Sequence, residues 1–195
     1  MSRPPERIEI DYPDWVDGLV DWDRPLTSDE ECMRLAVDLS RENVERQTGG
    51  PFGAAIFEAD SGRLVAVGVN SVVRLDNCTL HAEMLAFMMA QHRARSFTLG
   101  APGMPRHELF TSCEPCAMCL GATLWSGVSR VVYGARGSDV RDLGFDEGPV
   151  FEQSHAYLAT RGIRIEGGLL RDEAVAVLTR YRDLGGPLYN GMPAV

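Results

Sequence analysis

The chain has 195 residues, a length that favours a single domain, and its 45% hydrophobic and 24% charged residues are ordinary for a globular protein. This composition excludes disordered, collagen-like and low-complexity proteins. The 28 acidic and 19 basic side chains give a net charge of −9, which argues against a general nucleic-acid binder. The longest uncharged run, residues 115–129, is too short to span a bilayer, so we expect no membrane protein.

Residues 1–26 are predicted to form an acidic, aromatic N-terminal arm. The arm contains Tyr12 and two of the three tryptophans of the chain, Trp15 and Trp22. Because a solvated tail rarely holds so many large aromatic side chains, we expect the arm to pack across its own domain or a partner subunit. A disordered tail is the alternative interpretation.

The rest of the chain predicts alternating helices and strands. A helix capped by Thr27 or Ser28 is expected to end before the Gly-rich segment at 48–51. The elements expected after it are strands at 52–59 and 63–73, a helix at about 79–95, a strand at 108–112, a helix from Pro115, a strand at 130–135, a loop at 136–150, a strand at 162–170 and a helix at 171–183. This order predicts an α/β fold with a partly parallel sheet, formed by one domain at 27–183 that is followed by a C-terminal tail at 184–195.

The cysteines favour metal chemistry over a disulfide framework. Their number is odd, and Cys113, Cys116 and Cys119 lie three residues apart, which suits a reducing compartment. The chain start also lacks the apolar region of a secretory signal, so we expect a cytoplasmic protein. Cys116 and Cys119 share one face of a first helical turn, where N–H groups and the helix dipole stabilise thiolates. With a nitrogen of His81 they predict a three-ligand zinc site whose fourth position is open to water, as in catalytic sites.

Glu83 lies two residues after this histidine, where a structural zinc site needs no carboxylate. Catalytic zinc lowers the pKa of its water to about 7 and needs a neighbouring group that moves protons. A glutamate beside the metal can take the proton of the water and deliver it first to a ring nitrogen and then to a leaving amine. Glu83 is therefore predicted to be a catalytic residue.

The pattern His81-x-Glu83 with Pro115-Cys116-x-x-Cys119 resembles the zinc site of the cytidine deaminase superfamily, and within it most closely the guanine deaminases. The resemblance covers most of residues 27–150 and includes the segments GGPFG at 49–53 and TSCEPCAMCLG at 111–121. It implies a three-layer α/β/α sandwich around a mixed, roughly five-stranded sheet. It also implies one Zn²⁺ per subunit, held by His81, Cys116 and Cys119, and a homodimer.

The same resemblance implies roles for further residues. Asn70 stands where the family has its base-binding asparagine, and Glu147 stands where guanine deaminases have a second proton-shuttling carboxylate. In the implied reaction, water activated by zinc attacks C2 of guanine, Glu83 protonates the adjacent ring nitrogen, and Glu147 helps ammonia to leave. Asn70 can donate and accept a hydrogen bond, which suits a purine. Phe52 and Trp125 are expected to be apolar walls of a site for a free nucleobase.

Some segments depart from the guanine deaminase pattern. Residues 76–80 read Asp-Asn-Cys-Thr-Leu where the family usually has Asp-Pro-Thr-Ala, so we expect Cys78 and Leu80 to reshape the pocket rim. The N-terminal arm is longer than expected, and the C-terminal third matches poorly. In guanine deaminases the chain end closes over an active site, often that of the partner subunit, and contributes an aromatic residue. Tyr181 and Tyr189 are the candidates here.

Other functions stay open on the sequence. Guanosine, cytosine, cytidine and aminotriazines are alternative substrates for a deaminase. A tRNA adenosine deaminase shares the zinc motif but predicts a basic surface, whereas the last helix, 171–183, balances its acidic and basic residues. A non-catalytic zinc protein would need a fourth ligand, and none has convincing spacing. An iron–sulfur cluster of the ferredoxin kind would need a cysteine at the position of Thr123.

Overall fold

One mixed sheet of five strands forms the centre of the computed structural model, which describes residues 7–191. The strands are β1 (Gly53–Glu58), β2 (Leu64–Val69), β3 (His107–Cys113), β4 (Arg130–Ala135) and β5 (Arg164–Gly167). Their order across the sheet is β2-β1-β3-β4-β5. β1 is antiparallel to β2 and β3, whereas the pairs β3–β4 and β4–β5 are parallel. The predicted mixed sheet of five strands is confirmed.

Seven helices surround or flank this sheet within residues 7–191. They are α1 (Val16–Leu19), α2 (Asp29–Glu45), α3 (Ala82–Ala94), α4 (Ala117–Ser126), α5 (Gly137–Arg141), α6 (Glu152–Thr160) and α7 (Arg171–Asp183). α2 begins at the predicted cap, where the Ser28 hydroxyl accepts a hydrogen bond from the backbone N–H of Glu31. Acidic residues fill the first turn of α2, where the helix dipole favours them.

Helices cover both faces of the sheet and produce the expected three layers. Neighbouring strand residues alternate between the two cores, as the period of two in a strand requires. Phe57 and Phe110 face the core shared with α2 and α7. Ile56 and Leu109 face the second core, which α3 and α4 complete with alanines, leucines and Phe87. β1 and β2 are buried along their whole lengths, as expected for strands covered on both sides.

The structure differs from the sequence prediction in the last third of the chain. α5 lies inside the segment predicted to be a loop, and α6 lies where no element was predicted. α6 has a weak sequence signal because Leu158 is its only buried residue. β5 is shorter than the predicted strand at 162–170 and is an exposed edge strand. The predicted strand at 63–73 ends earlier, at Val69, because residues 72–76 turn away from the sheet.

The N-terminal arm packs on its own domain at Tyr12, Trp15 and Val16. The Tyr12 hydroxyl donates a hydrogen bond to the Val67 carbonyl at 3.0 Å, and the Trp15 indole N–H donates to the Thr48 hydroxyl at 3.0 Å. Val16 is completely buried in the core shared with α2. The division into an arm, a domain and a tail stays a prediction. In the part of the chain that the structure describes, no helix combines the length and apolar character needed to cross a membrane.

The strand directions bring distant segments to one edge of the sheet. β2, β3 and β4 all point the same way, so their carboxyl ends lie together, beside the beginning of the antiparallel β1. Asn70 follows β2, Cys113 ends β3, and Phe52 precedes β1. The helices α3 and α4 begin at the same edge, and in open α/β sheets this edge is the usual place for a ligand.

Candidate functional site

The three predicted metal ligands meet at the starts of α3 and α4. Nδ1 of His81 lies 3.5 Å from Sγ of Cys116 and 3.7 Å from Sγ of Cys119. All three ligand atoms lie within 4.8 Å of one another. A tetrahedral zinc ion with its usual bond lengths would hold a nitrogen ligand about 3.6 Å from each sulfur ligand. The residues present therefore fit one zinc ion per chain.

The local structure places these ligands at the starts of two helices and favours the metal-binding form of one of them, Cys116. His81 is the residue before α3, Cys116 is the residue before α4, and Cys119 lies in the first turn of α4. A hydrogen bond from the Cys119 thiol, helped by the nearby His81 ring, lowers the pKa of the Cys116 thiol to about 4 although burial opposes this shift. A thiolate at the start of a helix is the form that coordinates zinc.

Two carboxyl groups lie beside the ligand set. Glu83 is buried in the first turn of α3, and its burial, together with the negative Cys116, raises its pKa to about 7. Burial raises the pKa of Glu147 to about 8, together with the negative charges of Cys116 and Glu83. The Glu147 carbonyl accepts a hydrogen bond of 3.0 Å from the N–H of Ala117, which fixes the loop to the start of α4. Carboxyl groups with such pKa values can exchange protons near neutral pH.

A cavity of about 370 Å³ opens onto the ligands and both carboxyl groups. Its apolar lining includes Phe52, as predicted, and Phe145, which the sequence analysis did not single out. The rings of these two residues pack edge to face, with centroids 5.3 Å apart. Cavities with aromatic walls and a few polar groups suit small flat ligands.

Asn70 is fully buried beside this cavity, next to residues that line it. Its Oδ1 accepts hydrogen bonds from the backbone N–H groups of Gly50 and Val72, both at 3.4 Å. Its Nδ2 has no hydrogen-bond partner among residues 7–191. An unpaired buried donor is costly, so a bound ligand is a natural partner for this amide.

The structure places Trp125 away from the cavity. Its side chain is 74% exposed on α4 and does not line the cavity in this chain. Six residues separate Trp125 from Cys119, which turns its side chain by about 120° around the helix from the metal ligand. The structure therefore contradicts the expectation that Trp125 is a pocket wall within one chain.

Cys78 and Leu80, the two residues expected at the rim of the cavity, differ in exposure. Cys78 is exposed and lines the cavity, in agreement with the expectation. Leu80 is only 1% exposed and does not line the cavity, and its carbonyl accepts a hydrogen bond from the N–H of Ser71. The expectation that Leu80 shapes the rim is therefore wrong.

The C-terminal segment closes one side of the cavity in its own chain. The Tyr189 ring lies 5.1 Å from that of Phe145, and its buried hydroxyl has no hydrogen-bond partner in the described part of the chain. The Asn190 side chain bonds the Asp146 N–H and the Gly144 carbonyl, each at 2.9 Å, and so attaches this segment to the loop of Glu147. Tyr181 instead lies in the core, where its hydroxyl donates to the Pro187 carbonyl.

Phe145 and Asn190 are the site residues that sequence reasoning missed. Phe145 had a local signal, because it precedes Glu147 by two residues in the same short loop. Asn190 had none, since its partners lie more than forty residues earlier in the chain.

Comparison with known proteins gives consistent matches. Residues 26–135 match the family model described as the cytidine and deoxycytidylate deaminase zinc-binding region. Guanine deaminase from Bacillus subtilis is 38% identical over 124 residues, which are 64% of this chain and 75% of that protein.

Solved structures resemble nearly the whole chain. The structure of NE0047 in complex with 2,6-diaminopurine has a TM-score of 0.89 and 43% identity, and the match covers 95% of this chain and 98% of that one. The structure of guanine deaminase from Nitrosomonas europaea has a TM-score of 0.87 and 42% identity, over 93% of this chain and 100% of that one.

Proposed function

Because the chain belongs to the cytidine and deoxycytidylate deaminase zinc-binding family, we propose that it is a zinc-dependent deaminase that hydrolyses guanine to xanthine and ammonia. The observation that carries this proposal is the presence of Glu83 and Glu147 in one cavity with the His81, Cys116 and Cys119 ligands. The likeness to a guanine deaminase over 93% of the chain favours guanine as the base.

His81, Cys116 and Cys119 hold the metal, and three protein ligands leave a coordination position free. Zinc at such a site supplies the Lewis acidity that makes a water molecule nucleophilic near neutral pH. The surrounding carboxyl groups then have to move protons. In the reaction a C–O bond forms at C2 of guanine and the C–N bond to the amino group breaks.

The two carboxyl groups divide the proton transfers between them. Glu83, whose pKa is raised to about 7, accepts the proton of the water and passes it to the ring nitrogen next to C2. Glu147, whose pKa is raised by burial and by the negative Cys116, donates a proton to the departing amino group and regains one from the new C2 hydroxyl group as the carbonyl of xanthine forms. These transfers take place in the cavity, next to the metal ligands.

The apolar walls of the cavity and the Asn70 amide beside it hold the base. Phe52 and Phe145 offer apolar contact to a flat ring, and the Asn70 amide offers an unpaired donor. The Tyr189 hydroxyl is a second buried polar group that lacks a partner within residues 7–191. A purine carries several acceptors at its edge, and a site built to bond them rejects bases that leave these groups unpaired.

The direct test is ammonia release from guanine by the zinc-loaded protein. Glu83→Ala and the isosteric Glu83→Gln are the controls, and we expect both to abolish release while zinc content stays at one ion per chain. Guanosine, cytosine, cytidine, an aminotriazine and a tRNA substrate are assayed in parallel. Release from one of these instead of guanine would contradict the proposed substrate and leave the deaminase chemistry in place.

We also propose that the chain acts as a homodimer on a free base, without nucleic acid or membrane. The aromatic residues Trp125, Phe151 and Tyr157 expose 74%, 61% and 55% of their surface on or next to α4 and α6. Aromatic residues exposed together mark interaction surfaces, and a twofold interface requires one patch that is self-complementary.

All five cysteines lie within residues 7–191 and are unpaired, which supports the cytoplasm as the proposed location.

A further inference from the structure

The Asn70 amide has one defined orientation. Its Oδ1 accepts from two backbone N–H groups, so the opposite orientation would place an NH₂ group against two donors. Nδ2 is therefore the atom left without a partner in the described chain. Both contacts to Oδ1 are long, at 3.4 Å, and one of them comes from the neighbouring Gly49-Gly50 segment. The direction of the amide depends on where that segment lies.

Asn43, on α2, fixes the Gly49-Gly50 segment against Asn70. It is completely buried, and its Nδ2 donates to the Gly50 carbonyl at 2.8 Å and to the Asn70 carbonyl at 2.9 Å. The amide group of Asn43 thus bonds both the Gly49-Gly50 segment and the backbone of Asn70. Gly49 allows this approach, since a Cβ there would lie 1.9 Å from the Asn70 carbonyl oxygen.

Two further residues fix Asn43 in turn. The Thr48 hydroxyl donates to Oδ1 of Asn43 at 2.7 Å and accepts from the Trp15 indole N–H at 3.0 Å. Trp15 belongs to the N-terminal arm, and the Arg46 guanidinium lies 5.9 Å from its ring centroid. The hydrogen bonds therefore run without a break from the arm to the backbone of Asn70.

We propose that Asn43 is a positioning residue for Asn70, and that Thr48 and Trp15 complete a hydrogen-bonded chain through which the N-terminal arm sets the affinity for the base. This inference rests on the proposed function, in which the Asn70 amide binds the substrate. None of the three residues lines the cavity, so each acts through Asn70 and not through contact with the base. A purely structural role would lower the stability of the protein without a selective change in base binding.

Thr48→Val tests the chain with the smallest change, because it replaces a hydroxyl by a methyl group of similar size. We expect it to raise KM for guanine about three- to tenfold, the cost of one internal hydrogen bond, while kcat changes less than about twofold. Thr48→Ser restores the hydroxyl and should return KM toward the wild-type value. Thr98→Val, which removes a hydroxyl from a different loop, is the matched control.

A double-mutant cycle with Asn70→Ala separates positioning from stability. If Thr48 acts through Asn70, Thr48→Val has no further effect on KM in the Asn70→Ala background. The same cycle is measured on the dissociation constant of 2,6-diaminopurine in the Glu83→Gln background, in which turnover is blocked. Zinc content and Tm are recorded for every variant.

Each outcome decides the inference. The inference is wrong if Thr48→Val raises KM equally in the wild type and in the Asn70→Ala protein. It is also wrong if Thr48→Val lowers Tm but leaves KM and the dissociation constant unchanged. A wild-type protein that binds 2,6-diaminopurine but releases no ammonia from guanine would contradict the proposed function alone, since the binding cycle still reports the coupling between Thr48 and Asn70. Failure of the wild type to bind the purine would contradict both.

Discussion

Glu83 and Glu147 reach the metal ligands from different parts of the chain. Glu83 comes from the first turn of α3, two residues after His81, whereas Glu147 comes from a loop fixed to α4 by a backbone hydrogen bond. Burial raises the pKa of both carboxyl groups into the range where they can carry protons at neutral pH. Two such groups allow one to serve the ring nitrogen and the other the leaving amine.

Glu147→Gln is expected to lower kcat for guanine by about 10²–10⁴-fold, because the amide keeps the shape of the side chain but cannot donate a proton in acid–base catalysis. KM and zinc content should change little, since Glu147 is not one of the three ligands. Steady-state kinetics and zinc analysis check this. Asp146→Asn alters the exposed neighbour in the same loop and is the matched comparison. A Glu147→Gln protein with wild-type kcat would remove Glu147 from the reaction.

The sequence predicted the site residues to different extents, and the reason is distance along the chain. His81, Glu83, Cys116 and Cys119 could be identified because they form two short motifs: Cys116 and Cys119 lie three residues apart on one helical face, and Glu83 follows His81 by two residues as in zinc deaminases. Tyr189 could only be named beside Tyr181, because its place in the cavity depends on packing against a residue far away in sequence. Trp125 was expected in the cavity, whereas its position on α4 turns its side chain away from Cys119 and toward solvent.

At the scale of the elements, Arg130 joins three segments around the start of β4. Its guanidinium bonds Asp29 at the start of α2, Glu108 on β3 and Glu166 on β5. The hydrogen bond from Arg130 lowers the pKa of both Asp29 and Glu166 from their ordinary values of 3.8 and 4.5. A carboxyl group whose pKa is lower in the folded state stabilises the fold above its unfolded pKa. That stabilisation is lost as pH falls through the folded value.

Arg130→Gln is therefore expected to reduce the free energy of unfolding at pH 7 by about 1–3 kcal/mol, the range for hydrogen bonds to charged groups. The reduction should be smaller at pH 3, because below the ordinary pKa values of both partners the unfolded chain takes up protons at these carboxyl groups and part of the stabilisation is already lost. Urea denaturation at the two pH values measures the difference. Arg106→Gln, which breaks an exposed pair with Asp60, should cost about 0–1 kcal/mol. An equal loss at both pH values would contradict the electrostatic role of Arg130.

The elements themselves were predictable where burial was deep. α2, α3 and the central strands have apolar residues at regular spacing and were identified with nearly correct bounds. α6 was not predicted because it buries little apolar surface. Its one buried leucine does not produce the helical period of apolar residues. The early end of β2 is a tertiary effect: the chain turns at residues 72–76, and the last backbone bond to the neighbouring strand segment runs from the Asn70 N–H to the Phe52 carbonyl.

At the scale of the whole molecule, the proposed homodimer predicts a role for the exposed aromatic surface of α4 and α6. Light scattering after gel filtration should give twice the chain mass for the wild type. Trp125→Ser should shift this mass toward that of a monomer, because a large aromatic side chain at an interface centre often contributes about 2 kcal/mol or more. Phe97→Ser removes another aromatic residue, 89% exposed at the end of α3, and is the control. A monomeric wild type would contradict the proposal.

The closure of the cavity by Tyr189 has a consequence for how the protein is made. A ribosome synthesises the chain from its N-terminus, and the early segments of a domain emerge first. The candidate zinc ligands lie between positions 81 and 119, whereas the lining of the cavity extends to position 191. The metal ligands of a nascent chain are therefore synthesised before the last residues that line the cavity. A truncated chain that ends within α7 would contain the metal ligands and both carboxyl groups. It would lack Tyr189, and the cavity would be open where Tyr189 packs against Phe145.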